Sequence, residues 1–255
     1  MVVTARDMME LNLIAGGARS LEQKALTPDD QAIWNRDWTW LVTQLTKLDP
    51  DIGAEMAAEA RFYEAIAQVA KGYFNDKPFG GLKCATGQFG MQMIAPQHLG
   101  SNATGTKKFY DWRQTVAIDS DNTDANLLGG TTSTAYDLYA ESSAEEKEVI
   151  AFHTLISYKP DPRIIALEIK VNDYPYPLQI VECFSKITKP NKLFKFLPLP
   201  GRIVLHPGGK FYIRGWFDLQ RGTTAPSGTL NIDVEIAPFG IVFAEYNQFV
   251  IANWT

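Results

Sequence analysis

Apolar residues recur at every second position through much of the last third of the chain, in Ile165, Leu167, Ile169 and Val171 and again in Leu230, Ile232, Val234 and Ile236. Between them stand Glu168, Lys170 and Asn172, then Asn231, Asp233 and Glu235. Successive side chains on a strand point to opposite faces, so this pattern predicts antiparallel sheet with one face buried and one face wet. It specifies a framework and carries no catalytic signature.

The first part of the chain follows a different period. Thr27, Pro28, Asp29 and Asp30 form a helix start, with Thr27 as N-cap, proline at the first helical position and carboxylates at the positive helix end. The stripe Trp34, Trp38, Leu41, Leu45 and Leu48 is expected to face the core, while Trp40 falls off it. Trp34 and Trp38 are read as core and not as an aromatic binding box. Asp49-Pro50 closes this helix, and a further helix is expected from about Pro50 to Tyr73, with Ile52, Met56, Tyr63, Ile66, Val69 and Ala70 on its buried side. Glu55, Glu59, Arg61 and Glu64 fall largely on the other. Residues 1–20 read as one more amphipathic helix.

Pro78 and Gly80-Gly81 end the helical pattern, so the chain divides into a helical region, 1–78, and a β domain, 79–255. Strands are expected near 108–118, 134–140, 148–157, 164–172, 178–185, 202–206, 210–218, 228–237 and 240–251. Three turn signals separate some of them. Pro160-Asp161-Pro162 cannot continue a central strand, His206-Pro207-Gly208-Gly209-Lys210 suits a tight hairpin, and Pro238-Phe239-Gly240 is expected to break the final pair. The fold class is α+β: a helical segment followed by a mainly antiparallel β-sandwich of jelly-roll type.

A chain of 255 residues can bury an ample core without disulfides or metal. Cys84 and Cys183 lie in no metal or redox spacing and are read as packed thiols. A net charge of −5, with no basic run longer than Lys107-Lys108, argues against a direct nucleic-acid coat. The first residues lack the basic and uninterrupted apolar regions of a signal peptide, and no 18-residue apolar run predicts a membrane-spanning helix. Asn102-Ala103-Thr104 and Asn253-Trp254-Thr255 match the glycosylation triplet and, without a signal peptide, are read as chance.

Chemistry-bearing motifs are scarce. His98, His153 and His206 lie in separate segments, none with a second ligand at metal spacing. Asp119-Ser120-Asp121-Asn122-Thr123-Asp124 gathers oxygen ligands but departs from an EF-hand at Asp124 and Gly130, leaving a looser calcium site or a solvated acidic turn. Nucleophile elbows and phosphate loops are missing, and Glu145, Glu146 and Glu148 read as a solvated face. No catalytic, cofactor-binding or metal-binding residue is therefore assigned, and the chain is read as a protein that is not an enzyme. Aromatic residues of the β region, such as Tyr174, Tyr176 and Tyr212, are expected to be partly exposed and to meet a partner surface or a sugar ring.

The segments RIIALEIKVNDYPYP at 163–177 and LPGRIVLHPGGKFYIRGW at 199–216 resemble jelly-roll structural proteins of non-enveloped viruses or phages, in which a Pro-Gly hairpin joins two outer strands. The resemblance covers roughly 81–255, and the helical first third departs from a plain single jelly roll. It implies a virion protein made in the host cytoplasm, assembling with copies of itself and other structural proteins, with the helices as assembly arm or inner-surface element. Two alternatives stay open: a carbohydrate- or receptor-binding sandwich using the polar loop 119–134, and an enzyme with carboxylates dispersed over distant strands.

Overall fold

The computed structural model describes residues 24–94, 113–119, 136–143, 147–159, 164–172, 174–175, 179–180, 195–217 and 229–245. The Asp121 to Thr134 stretch, Pro160-Asp161-Pro162, His98, Cys183 and both glycosylation triplets lie outside them. Among the described residues, three helices precede the strands, α1 (Pro28–Leu48), α2 (Pro50–Ala58) and α3 (Ala60–Tyr73). The strands follow: β1 (Phe79–Gly81), β2 (Phe89–Met93), β3 (Arg113–Asp119), β4 (Tyr136–Ser143), β5 (Glu148–Lys159), β6 (Ile164–Val171), β7 (Tyr174–Pro175), β8 (Gln179–Ile180), β9 (Lys195–Leu205), β10 (Lys210–Phe217) and β11 (Thr229–Glu245). The class is α+β with mostly antiparallel strands.

The helix start at Thr27 is a full capping box, in which the Thr27 hydroxyl accepts from the Asp30 N–H and the Asp30 carboxylate accepts from the Thr27 N–H. Asp49 ends α1 and begins α2, its carboxylate accepting from the Asp51 and Ile52 N–H groups. Trp34, Trp38 and Leu41 are buried as the stripe requires. Leu48 is not: at the last residue of α1 it is 69% exposed. The expected single helix from Pro50 to Tyr73 is two, broken at Glu59, whose N–H bonds to the Met56 carbonyl in a tightened turn. Neither Pro nor Gly marks that break.

Two sheets hold the strands. One runs β1-β2-β11-β5-β9 with β3 also on β11, and the other runs β4-β10-β6-β7 with β8 also on β6. Strand β11 is the spine of the larger sheet. Its first half pairs with β3 (Leu230 with Ile118), its second half with β2 (Phe243 with Met91), and β5 lies along its other side. In the smaller sheet β6 alternates as the sequence requires, with Leu167, Ile169 and Val171 buried and Glu168 and Lys170 half-buried. Strand β5 does not alternate: Val149 to Ile156 are buried without interruption. Its sheet is covered on both sides. Trp34 of α1 stacks near Phe243 of β11 at 6.3 Å on one side, and Phe152 of β5 meets Phe211 of the smaller sheet edge-on at 5.3 Å on the other.

Two turn expectations need correction. Pro238 does not end a strand, because β11 runs unbroken from Thr229 to Glu245. Residues 236–239 pair with β5 on one side only, since β3 pairs up to Glu235 and the other side is taken up again at Gly240, whose carbonyl accepts from the Ile94 N–H, so a missing N–H is tolerated at Pro238. The His206 to Lys210 segment is a tight turn, with Gly208 at φ 75° and the Gly209 N–H on the His206 carbonyl at 2.6 Å. It is not a hairpin. It carries the chain from β9 in the larger sheet to β10 in the smaller one. Strands β1 and β2, a short parallel pair, were not foreseen.

The β5–β11 register shifts where Gly240 pairs with Phe152 and Phe239 with Thr154, leaving His153 as the extra residue of a bulge. A Cβ on Gly240 would lie 2.0 Å from the Ala151 carbonyl oxygen. Gly240→Ala is therefore expected to cost about 1–3 kcal/mol in a chemical denaturation curve, because a backbone atom and not a flexible side chain must yield.

Candidate functional site

Among the described residues, two clusters of polar groups lie inside the helix–sheet core. The first is on α1, where Asp30 and Asp37 are both buried in phase with Trp34, Trp38 and Leu41. Asp30 accepts from the Phe79 N–H at 2.8 Å, pairs with the buried Lys71 of α3 and still completes the cap at Thr27. Asp37 accepts from the Leu82 N–H at 2.9 Å and from Arg36 at 2.7 Å. Among the described residues strand β1 is the outermost strand of its sheet, and these carboxylates take the Phe79 N–H of that edge and the Leu82 N–H just past it, groups that could otherwise be offered to another chain. Burial pushes the Asp30 carboxyl up, but Lys71, the Phe79 N–H and Thr27 outweigh it and hold its pKa below the ordinary value.

The second cluster sits at the bulge in β5. The His153 Nδ1 and the hydroxyl of the fully buried Tyr63 share a hydrogen bond of 2.7 Å, while Nε2 has no hydrogen-bond partner and lies 3.8 Å from a Glu55 carboxylate oxygen. Glu59, at the break between α2 and α3, pairs with Arg202 of β9 at 2.6 Å, and the guanidinium lies over the Phe62 ring. Burial drives the His153 pKa down to about 4, with Glu59 opposing and Arg202 adding to the shift. Burial also raises Tyr63 well above the usual phenol range, and burial together with Glu59 raises Glu55. A Tyr–His pair can relay a proton only where a substrate reaches it. The His153 ring is enclosed by Tyr63 and Phe239, each at 5.7 Å, so the pair is a joint between helix layer and sheet.

Other residues weighed from the sequence are placed as follows. His206 lies in the β9–β10 turn, far along the chain from His153, with its pKa lowered by burial. Cys84 is a half-buried free thiol whose pKa burial raises to about 11, which leaves it protonated and unreactive at neutral pH. Among the described residues no group of three His, Cys, Asp or Glu is placed to hold a metal ion, and no helix is long and apolar enough to cross a membrane. Tyr212 on the smaller sheet is buried and not partly exposed as expected, because its ring is flanked by Lys170 at 5.4 Å and Arg214 at 4.8 Å.

Among the described residues, the large apolar side chains that stand exposed are on the helix layer. Trp40 is 55% and Leu48 69% exposed, two turns apart on α1. Trp40 is legible from the sequence as the residue off the stripe. Asp30 and Asp37 were missed as a pair, and the available signal was acidic side chains in phase with the apolar stripe. Comparison of the chain with protein-family models, with curated proteins and with solved structures finds no match.

Proposed function

We propose that the chain is a structural protein of a non-enveloped virus or phage, a capsid or other virion-associated subunit and not an enzyme, whose two sheets form a jelly-roll sandwich. The observation that carries this reading is the nesting of the strand pairs. With β1 and β2 set aside and β7 and β8 taken as one interrupted strand, the first of eight strands pairs with the last (β3 with β11), the second with the seventh (β4 with β10), the third with the sixth (β5 with β9) and the fourth with the fifth (β6 with β7 and β8). The pairs β5 with β11 and β6 with β10 then gather them into two sheets. This nesting supports the reading as a long hairpin rolled upon itself, a jelly roll of the kind found in capsid subunits, lectin domains and cupins.

A fold shared by several functions does not choose among them, so the choice rests on surface chemistry. An exposed Trp and Leu on one helix favour a subunit that buries apolar area against copies of itself or other structural proteins. The net charge of −5 disfavours a direct genome coat. In this reading the protein acts in the virion, and the helix layer over the larger sheet is the contact surface. Size-exclusion chromatography with light scattering and negative-stain microscopy, across salt and calcium concentrations, should reveal closed oligomers or shells. Trp40→Ser combined with Leu48→Ser should weaken association by about tenfold or more while leaving the fold intact. A chain that stays monomeric under every condition, and is missing from particles purified from its source, would sink the reading.

A further inference from the structure

Helix α1 buries one stripe and exposes the opposite one. Steps of seven, four, three and four residues keep Asp29, Arg36, Trp40, Thr43 and Lys47 within roughly 40° of one line along the helix, and all five are exposed, while Trp34, Trp38 and Leu41 point into the core. Three observations mark this line as a contact face. Trp40 stands 55% exposed near its middle. From Trp38 to Thr46 the helix carries no charged residue, and the Thr39 and Thr43 hydroxyls already donate to the Asn35 and Thr39 carbonyls at 2.7 Å, so covering them costs little desolvation. Charge on the line is confined to Asp29 at one end, Lys47 at the other, and Arg36, whose Nε is held by Asp37 at 2.7 Å while its side chain remains 63% exposed.

We propose that α1 packs antiparallel against α1 of a second copy of this chain, across a two-fold axis level with position 38. Asp29 and Lys47 stand nine positions to either side of that point, and Arg36 and Trp40 stand two. The axis therefore sets Asp29 of each copy against Lys47 of the other, and each Arg36 guanidinium over the other copy's Trp40 ring. The charges are complementary in this direction only, because a parallel pair would set Asp29 against Asp29 and Lys47 against Lys47. A contact confined to one helix falls short of the ~800 Å² per partner of a standard interface, so a dissociation constant on the order of micromolar is expected. This dimer rests on the helix layer as the contact surface, as read above, and does not require the virion.

Sedimentation velocity of the full chain, from micromolar to near-millimolar concentration, tests the pairing. The wild type is expected to form dimers, and Asp29→Lys, Lys47→Glu and Trp40→Ala should each weaken dimerisation about tenfold or more, since every change occurs twice in a symmetric pair. Mixing the Asp29→Lys chain with the Lys47→Glu chain should restore a one-to-one dimer, because opposite charges then meet at both ends, a recovery that misfolded variants could not give. A wild type that stays monomeric overturns the dimer and leaves this face to another structural protein, while presence of the chain in purified particles would still uphold the virion reading. Oligomers that ignore all three substitutions also overturn the pairing and move the assembly contact to another face. Weakening in the single variants without recovery in the mixture overturns the two-fold register.

Discussion

Lys71→Met is expected to destabilise the protein by about 3–5 kcal/mol, because it leaves the Asp30 carboxylate buried without its counter-charge. Asp30 links the start of α1, the end of α3 and the first N–H of β1, so the loss should be read by the whole fold and not by one helix end. Urea denaturation followed by circular dichroism measures it. A second substitution, Asp30→Asn in the Lys71→Met background, should recover part of the loss, because a neutral amide can stay buried at lower cost than an uncompensated charge. The sign of the pH dependence follows from the lowered Asp30 pKa: its contribution is present above the unfolded carboxyl range and is lost as pH falls through the folded value. A loss below about 1 kcal/mol in Lys71→Met would place this pair among ordinary surface ion pairs and contradict its burial.

Acid should loosen the helix layer from the sheet through a different group. His153 is neutral in the fold, with its pKa pushed down to about 4 by burial, against an ordinary value of 6.5. A depressed imidazole contributes stability that is complete above the unfolded pKa and drains away as pH falls toward the folded one. Between pH 7 and pH 4 this group alone is expected to remove about 3 kcal/mol of unfolding free energy. Glu55 works in the opposite direction, since burial and, after it, the nearby Glu59 raise its pKa, so that protonation relieves a desolvated charge. The comparison that isolates the imidazole is the denaturation midpoint of the wild type and of His153→Gln across pH 4 to 7. The variant, which keeps a polar group beside the Tyr63 hydroxyl, should lose most of the slope. Parallel curves would mean that His153 is not the acid-sensitive joint.

How much the sequence reveals depends on how many faces of an element are covered. Strand β6 could be read because its sheet has a wet face, so Glu168 and Lys170 alternate with Leu167, Ile169 and Val171. Strand β5, covered by helices on one side and the second sheet on the other, shows an unbroken apolar run that has no period to read. The start of α1 was legible to the residue because capping is local chemistry, in Thr27, Pro28 and Asp30. The second roles of Asp30 and Asp37 were not, because their partners Lys71, Phe79 and Leu82 stand some 40 or more positions away. The same distance hid the Tyr63–His153 bond, which joins residues 90 positions apart. Pro238 misled because proline ends most strands, and only the gap between β2 and β3 along β11 makes it acceptable there. The Pro-Gly turn at 207–208 announces a tight reversal but not which sheet receives the chain.

The position of β11 at the end of the described chain governs how the protein can be made. Strands β2, β3 and β5 all take their backbone partners from Thr229–Glu245, so the larger sheet has no centre until that segment has been synthesised and has left the ribosome. Until then the apolar face of the three helices has no Phe239, Ile241 or Phe243 to cover it. Translation therefore delivers the helices and strands β1–β10 before the segment that joins the larger sheet, so closure of that sheet is expected to be late and concerted rather than growing from the helices onward. The interval before β11 emerges is the one in which a chaperone, or a second nascent copy, can meet this surface first.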